Sequence, residues 1–316
     1  MSPKKLPQSV REKITDDATQ IFFSEELRAI EREREEIDFP EHMGRQLFPF
    51  DFNYPNGTTS IMYYTVEKVG MAQWIANAAS DIPRSTIKRT RNFSQVRTMA
   101  SSYAWTLDDI EAAQMAGLPL DRDLSDAAML AIAQFENGAL WNGDDEYNIG
   151  GFLSNANIPT YTVTADGAGA LTTWVSKTPA QIIRDVGFLL SQIRTNTKNI
   201  EKADTVLLPI AQYELIARTP FNQNSAVTIL QFLLGNNPGL QIFSVLEMDS
   251  DENDVFATDV MVAYKRDPKK VKVAVPVDRE SRPVQAKGLE FEVILREKFG
   301  GVIVKKPLSV NIGEGI

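Results

Sequence analysis

The chain has 316 residues, 43% apolar and 24% charged, an ordinary globular balance that excludes global disorder and suits about two domains. It has no cysteine and one histidine, His42, which excludes disulfides, a thiolate nucleophile and multi-histidine metal sites. Lys and Arg number 33 against 42 Asp and Glu, and the net charge of −9 argues against a dedicated DNA-gripping protein.

The N-terminus, MSPKKLPQSVREK, has two lysines but no apolar run behind them, so it does not read as a secretory signal. No stretch is apolar for the ~18 residues a membrane span needs. The expectation is a soluble, non-enzymatic protein of a reduced compartment.

Residues 1–7 read as a loose polar tail. A helical pattern runs from Ser9 to Glu36, with Val10, Ile14, Ala18, Ile21 and Phe22 near helical spacing. Its second part, EELRAIEREREEID at 25–38, contains Glu31, Glu33, Glu35 and Glu36 and few apolar residues. It reads either as a solvated helix or as an arm that docks on something else. Pro40 ends it. Residues 46–56 (QLFPFDFNYPN) are aromatic, proline-marked and without helical period, the pattern of an extended arm.

Asn56-Gly57 signals a turn, and TTSIMYYTVEKVG after it reads as a strand. A second strand is expected over Ser85–Met99, with a loop carrying Trp74 between the two. Residues 57–99 thus form a long two-stranded excursion. An isolated hairpin is marginal in water, so one this long is expected to lie on a neighbour. Its second half is basic: residues 82–98 hold Arg84, Lys88, Arg89, Arg91 and Arg97 and no acid. Three readings stay open: a solvated strand face, contact with an acidic surface of another subunit, or nucleic-acid binding. Only Phe93 offers a stacking ring for the last.

Thr106 and Asp109 resemble a capping box opening a helix that Gly117 and Pro119 stop. A longer helix is expected over Leu124–Leu140, with Leu124, Ala127, Ala128, Ala131, Phe135 and Leu140 along its stripe. Met129, Leu130 and Ile132 widen that stripe, which implies burial on more than one side. Residues 150–172 form a connector rich in Gly, Asn and Thr, with a short strand at Tyr161–Thr164. Thr178-Pro179 opens an amphipathic helix buried through Ile182, Val186, Leu189, Leu190 and Ile193. Beyond it, strands are expected at Thr205–Pro209, Leu240–Leu246, Val260–Tyr264 and Val271–Val275. Helices are expected at Ala211–Ala217 and Ser225–Leu234. Residues 288–298 alternate, with Leu289, Phe291, Val293 and Leu295 on one side, and Val302–Lys305 continues the strand pattern.

Searches for chemistry mostly fail. Asp249, Asp251 and Asn253 begin like a calcium loop, but Asp254 stands where the glycine belongs and Val260 where the last acid belongs. Gly167-Ala168-Gly169 is too short for a phosphate loop and lacks its lysine. Asp144, Asp145 and Glu146 read as a turn, and His42 has no serine partner. Trp74, Trp105, Trp141 and Trp174 read as core or interface anchors. No catalytic residue, cofactor or metal is expected.

The order of motifs carries a resemblance. Arg45-Gln46-Leu47-Phe48-Pro49 follows an acidic arm, and the β excursion ends near Asp81-Ile82-Pro83-Arg84. Then come Tyr103-Ala104-Trp105-Thr106, Asp109–Ala113 and Ala116-Gly117-Leu118-Pro119-Leu120-Asp121. Asn142-Gly143-Asp144, Gly151-Phe152-Leu153 and Asn157-Ile158-Pro159 complete the set. Over residues 25–310 the chain resembles the major capsid proteins of tailed bacteriophages, in an encapsulin-like family with the Hong Kong 97-type fold.

The resemblance implies an α+β fold with an N-terminal arm at 1–50 and an extended β-hairpin loop at 51–100. It implies a peripheral domain of 101–203 plus 276–316 around a spine helix at 124–140, and an axial domain at 204–275. It also implies self-assembly through pentamers and hexamers into an icosahedral virion shell around double-stranded DNA, without sequence-specific binding or membrane contact. Assembly would take place in the host cytoplasm. A scaffolding protein, a portal protein and a decoration protein are the further partners it suggests. The ~50 residues before the excursion are too few for a large fused scaffold. No motif makes a lysine–asparagine crosslink specific, so none is expected. The alternative is an encapsulin-type cellular nanocompartment enclosing cargo protein. The intersubunit contact candidates are Trp74 and the five basic residues on one side, and Glu31, Glu33, Glu35 and Glu36 on the other.

Overall fold

The computed structural model describes residues 42–316 apart from 73, 75–83, 117–119, 168 and 223. The helix expected over residues 9–36 therefore lies outside the described residues. In chain order the helices are α1 (Gly44–Leu47), α2 (Leu107–Ala116), α3 (Leu120–Trp141), α4 (Pro179–Asn196), α5 (Ile210–Arg218) and α6 (Ile229–Asn236). The first strands are β1 (Phe50–Asp51), β2 (Ser60–Val69), β3 (Thr86–Gln95), β4 (Arg97–Thr106), β5 (Gly143–Asp144), β6 (Ile149–Gly150), β7 (Thr160–Thr162) and β8 (Thr205–Leu208). They are followed by β9 (Gln241–Ser244), β10 (Val260–Tyr264), β11 (Val271–Ala274), β12 (Val277–Ser281), β13 (Gln285–Lys287), β14 (Glu290–Phe299), β15 (Val302–Val304) and β16 (Val310–Glu314).

A five-stranded sheet in the order β7-β16-β10-β8-β9 divides two apolar cores. Strand β10 reads VMVAY and is buried throughout, because both of its faces are covered. Val260, Val262 and Tyr264 point into one core, and Met261 and Ala263 into the other. The second core is closed by α4, whose Ile182, Val186, Leu189 and Ile193 are buried, whereas Leu190 is only half-buried. Pro179 sits at the first helical position, and the Gln181 side chain accepts a 2.7 Å bond from the Thr178 N–H. The sheet draws on residues 160–162, 205–264 and 310–314 together.

The other core is aromatic. Phe48 meets Phe152 at 4.7 Å and Trp141 at 5.3 Å edge-on, and stacks on Tyr264 at 5.4 Å. The Tyr264 hydroxyl donates to the Leu47 carbonyl at 2.7 Å. The aromatic segment at 46–56 is thus not a free extended arm at its start. Leu47 and Phe48 are buried in the body, and β1 pairs in parallel with β11. Such large apolar side chains find a core site within their own chain.

The single strand expected over Ser85–Met99 is two. Val96 is buried and its N–H bonds to the Thr59 carbonyl at 2.9 Å, and the chain changes sheets there. Strand β3 pairs with β2, while β4 pairs along its whole length with β14. Helix α2 then begins with the expected box: the Thr106 N–H donates to Asp109 Oδ2 at 2.9 Å, and the Asp109 N–H to Thr106 Oγ1 at 3.2 Å.

Helix α3 is longer than the expected Leu124–Leu140. Its last carbonyls, Leu140 and Trp141, accept from the Phe152 and Leu153 N–H groups at 2.8 and 2.9 Å. Gly143, at φ 78°, makes the turn that brings those amides back. The apolar stripe is narrower than expected. Ala128, Ile132, Ala139 and Leu140 are buried, whereas Ala131, Phe135 and Met129 are exposed. Among the described residues no helix is long and apolar enough to cross a membrane.

Candidate intersubunit surfaces

Strands β2 and β3 form a two-stranded ribbon whose register runs from Ser60↔Gln95 to Val69↔Thr86. Its base is anchored. Ile61 packs in a small core with Val96, Ala274 and Ile303, and the Ser94 hydroxyl donates to the Gly300 carbonyl at 2.6 Å. Lys272 reaches the base of the ribbon as well, bonding Asp51 at 2.5 Å and the Tyr54 hydroxyl at 2.6 Å. Burial would favour the neutral Asp51, but the Lys272 bond wins and holds its carboxyl below the usual range.

Farther out the ribbon is bare. Arg84, Lys88, Arg89 and Arg91 are all exposed, and none of the four has an ion-pair partner among the described residues. Trp74 is fully exposed, and Met71 is 73% exposed. Arg97 parts from this group. It opens β4 and stands over the Tyr147 ring, 5.7 Å from its centroid. Glu31, Glu33, Glu35 and Glu36 lie outside the described residues.

A second bare surface is a groove of about 600 Å³ between α3 and β4. Met99, Ile132, Phe135, Ile149 and Phe299 supply its apolar lining, and Asp144 also lines it. Phe135, expected in the stripe of α3, is exposed into this groove, and among the described residues no further layer covers α3 there.

Between these surfaces the body is tied by a buried ionic cluster. Arg45 Nη2 lies 2.9 Å from Glu136 Oε2, 2.8 Å from Asp278 and 3.2 Å from Glu297. Arg279 pairs with Glu136 and reaches Glu297 Oε2 at 3.4 Å. The Glu136 side chain is 2% exposed and that of Glu297 is fully buried. Two guanidiniums thus face three carboxyls. Burial and the neighbouring Glu136 charge push the Glu297 carboxyl up to about 8, a direction that favours a proton within the cluster at neutral pH. The Asp278 carboxyl goes the other way: burial opposes its charge, but the Arg45 bond lowers it.

Sequence reasoning missed this cluster, although a signal existed. The alternation Leu289, Phe291, Val293, Leu295 runs on through Glu297 to Phe299, which places Glu297 inward. Glu136 likewise follows Ile132 by one helical turn.

The calcium-like run is an ordinary turn. The Asn253 side chain donates to the Asp249 carbonyl at 2.6 Å and accepts from the Phe256 N–H at 2.7 Å. Trp141 and Trp174 are core residues, as expected of most tryptophans. Tyr103 and Trp105 stack at 5.6 Å on the sheet face that Val293 and Leu295 share with α3.

Comparison with known proteins agrees with this architecture. The capsid of the myovirus phage XM1 superposes with a TM-score of 0.79 at 16% identity, covering 92% of this chain and 98% of that one. The capsid of a native GTA particle gives 0.60 at 13% identity, covering 90% and 93%. A virus-like particle from Pyrococcus furiosus gives 0.55 at 13% identity, covering 85% and 91%. No curated protein sequence matches. The fold is therefore the Hong Kong 97-type capsid fold. The model of one family, described as major capsid protein, matches residues 70–316, and the chain belongs to that family of structural shell proteins.

Proposed function

We propose that this chain assembles through pentamers and hexamers into a closed icosahedral shell around the double-stranded DNA genome of a tailed bacteriophage. The observation that carries the reading is the bare ribbon: Met62, Tyr64, Val66, Ile87 and Phe93 are each about half or more exposed. A two-stranded ribbon cannot bury them alone, and a monomer rarely leaves so large an apolar patch open. Contacts spread over several neighbours gain strength through effective concentration. The net charge of −9 suits a container that holds DNA without gripping it.

In this reading residues 1–50 are the N-terminal arm and 51–100 the extended loop. Helix α3 is the spine of a peripheral domain formed by 101–203 and 276–316. Residues 204–275 are the axial domain, which shares its sheet with β7 and β16. The shell forms in the host cytoplasm and becomes the virion capsid. A scaffolding protein, a portal protein and a decoration protein are the partners proposed with it.

The test is the content and symmetry of purified particles by cryo-electron microscopy, with pentamers, hexamers and packaged duplex DNA expected. A cellular nanocompartment is the second reading, favoured by the likeness to the Pyrococcus furiosus virus-like particle. Particles filled with protein instead of DNA would select it.

A further inference from the structure

The five-stranded sheet that divides the two cores carries opposite charge at its two ends. At one end β8 begins and β10 finishes, with Thr205 paired to Tyr264, and β16 enters at Val310. Three stretches converge there: 194–202, 265–270 and 305–306. They hold nine Lys and Arg against two acids, Glu201 and Asp267, and Asp204 is the third acid at this end. Glu201 draws the stretches together, accepting from Lys306 at 3.2 Å and pairing with Lys270. Asp204 takes Lys265 at 2.7 Å. Arg194, Lys198, Lys202 and Lys269 are left exposed, and none of the four has an ion-pair partner among the described residues. A cleft of about 140 Å³, lined by Arg194, Lys202, Ser191 and Asn237, gives this end a concave seat for a carboxylate.

The opposite end lies about 17 Å away along the five residues of β10. There the stretches 144–146 and 247–254 hold eight acids and no Lys or Arg. Asn142 Nδ2 donates to Asp254 Oδ2 at 3.2 Å, which brings the two stretches together. Asp145, Glu146, Asp251 and Glu252 are exposed and without an ion-pair partner among the described residues. Arg97, over the neighbouring Tyr147 ring, pairs with none of them.

We propose that the basic end of this sheet in one copy of the chain seats against the acidic end in the next, an inference that rests on the shell reading above. Each end alone gathers like charges that repel, and a neighbouring copy presents the matching sign at fixed spacing. Because the two ends differ, the contact is head-to-tail, and its repetition closes into a ring. Duplex DNA fits less well. Its phosphates would meet the lysines and arginines of one end and leave the eight acids of the other unbalanced.

Charge reversal in the full chain tests this. One variant carries Lys198→Glu, Lys202→Glu and Lys269→Glu, and the other Asp145→Lys, Asp251→Lys and Glu252→Lys. All six side chains are exposed and unpaired, so both variants fold, which circular dichroism confirms. Native mass spectrometry and light scattering read association. The parent should give rings that loosen as salt rises. Each variant alone should stay monomeric. An equal mixture of the two should associate again, in even-numbered rings only, because the two kinds of copy must alternate. Parental rings from either variant, or a mixture that stays dissociated, would overturn the proposal while leaving the shell reading intact. So would a basic-end variant that keeps its rings but loses salt-sensitive binding of duplex DNA, which would assign that end to nucleic acid. A parent chain that forms neither rings nor particles under any condition fails the shell reading and this inference together.

Discussion

The Arg45 guanidinium forks onto the Glu136 carboxylate, with Nε 2.9 Å from Oε1 and Nη2 2.9 Å from Oε2. This bidentate pair joins the first described turn of the chain to the C-terminal part of α3, 91 residues away. The same guanidinium reaches Asp278 and Glu297, so one side chain links the entry of the chain, the long helix and two strands of the β14 sheet.

Arg45→Ala should therefore loosen the body as a whole. It leaves the buried Glu136 and Glu297 with a single cation between them. The expected loss is about 3 kcal/mol, modest for a broken buried pair because Arg279 still reaches both carboxyls. Urea denaturation of the unassembled subunit measures it. A loss under about 1 kcal/mol would show that the cluster does not hold the chain entry in place.

Glu297 sets the direction of a pH effect. Its carboxyl is raised from the ordinary value of 4.5 to about 8 in the fold. The folded chain thus holds a proton there that the unfolded chain releases. Stability from this group is complete below the ordinary glutamate range and is lost as pH rises toward and through 8. Denaturation midpoints should fall over that window, and Glu297→Gln, which keeps a neutral carbonyl in place, should flatten the fall. A profile that Glu297→Gln leaves unchanged would contradict the assignment.

Two neighbouring leucines on α4 separate core from surface. Leu189 is fully buried and Leu190 only half-buried. Leu189→Ala should cost about 2–5 kcal/mol and Leu190→Ala under about 2 kcal/mol, read as denaturant midpoints at constant slope. The reverse order would mean that the buried face of α4 is misplaced.

Much of this fold is legible from local pattern. Strand β10 shows itself as an unbroken β-branched and apolar run, α4 by its Thr-Pro start and four-residue apolar spacing, and α2 by the Thr106–Asp109 box. The break at Val96 is not legible, because residues 85–99 have strand character throughout and only pairing with different partners divides them. The exposure of Phe135 is hidden for a similar reason. Helical spacing shows that a residue lies on an apolar face but not whether its own chain or another copy covers it. The ionic cluster escapes because its five members come from segments as far apart as Arg45 and Glu297. The basic excursion is visible in composition, yet its two faces appear only once the register pairs Val66 with Arg89.

The account stands or falls on assembly. Light scattering and negative-stain electron microscopy of the purified chain, expressed alone and together with the products of neighbouring genes, test it most directly. Closed shells, or five- and six-membered rings that close into them, are the predicted result. A chain that stays monomeric across salt and pH, in both kinds of preparation, would contradict it.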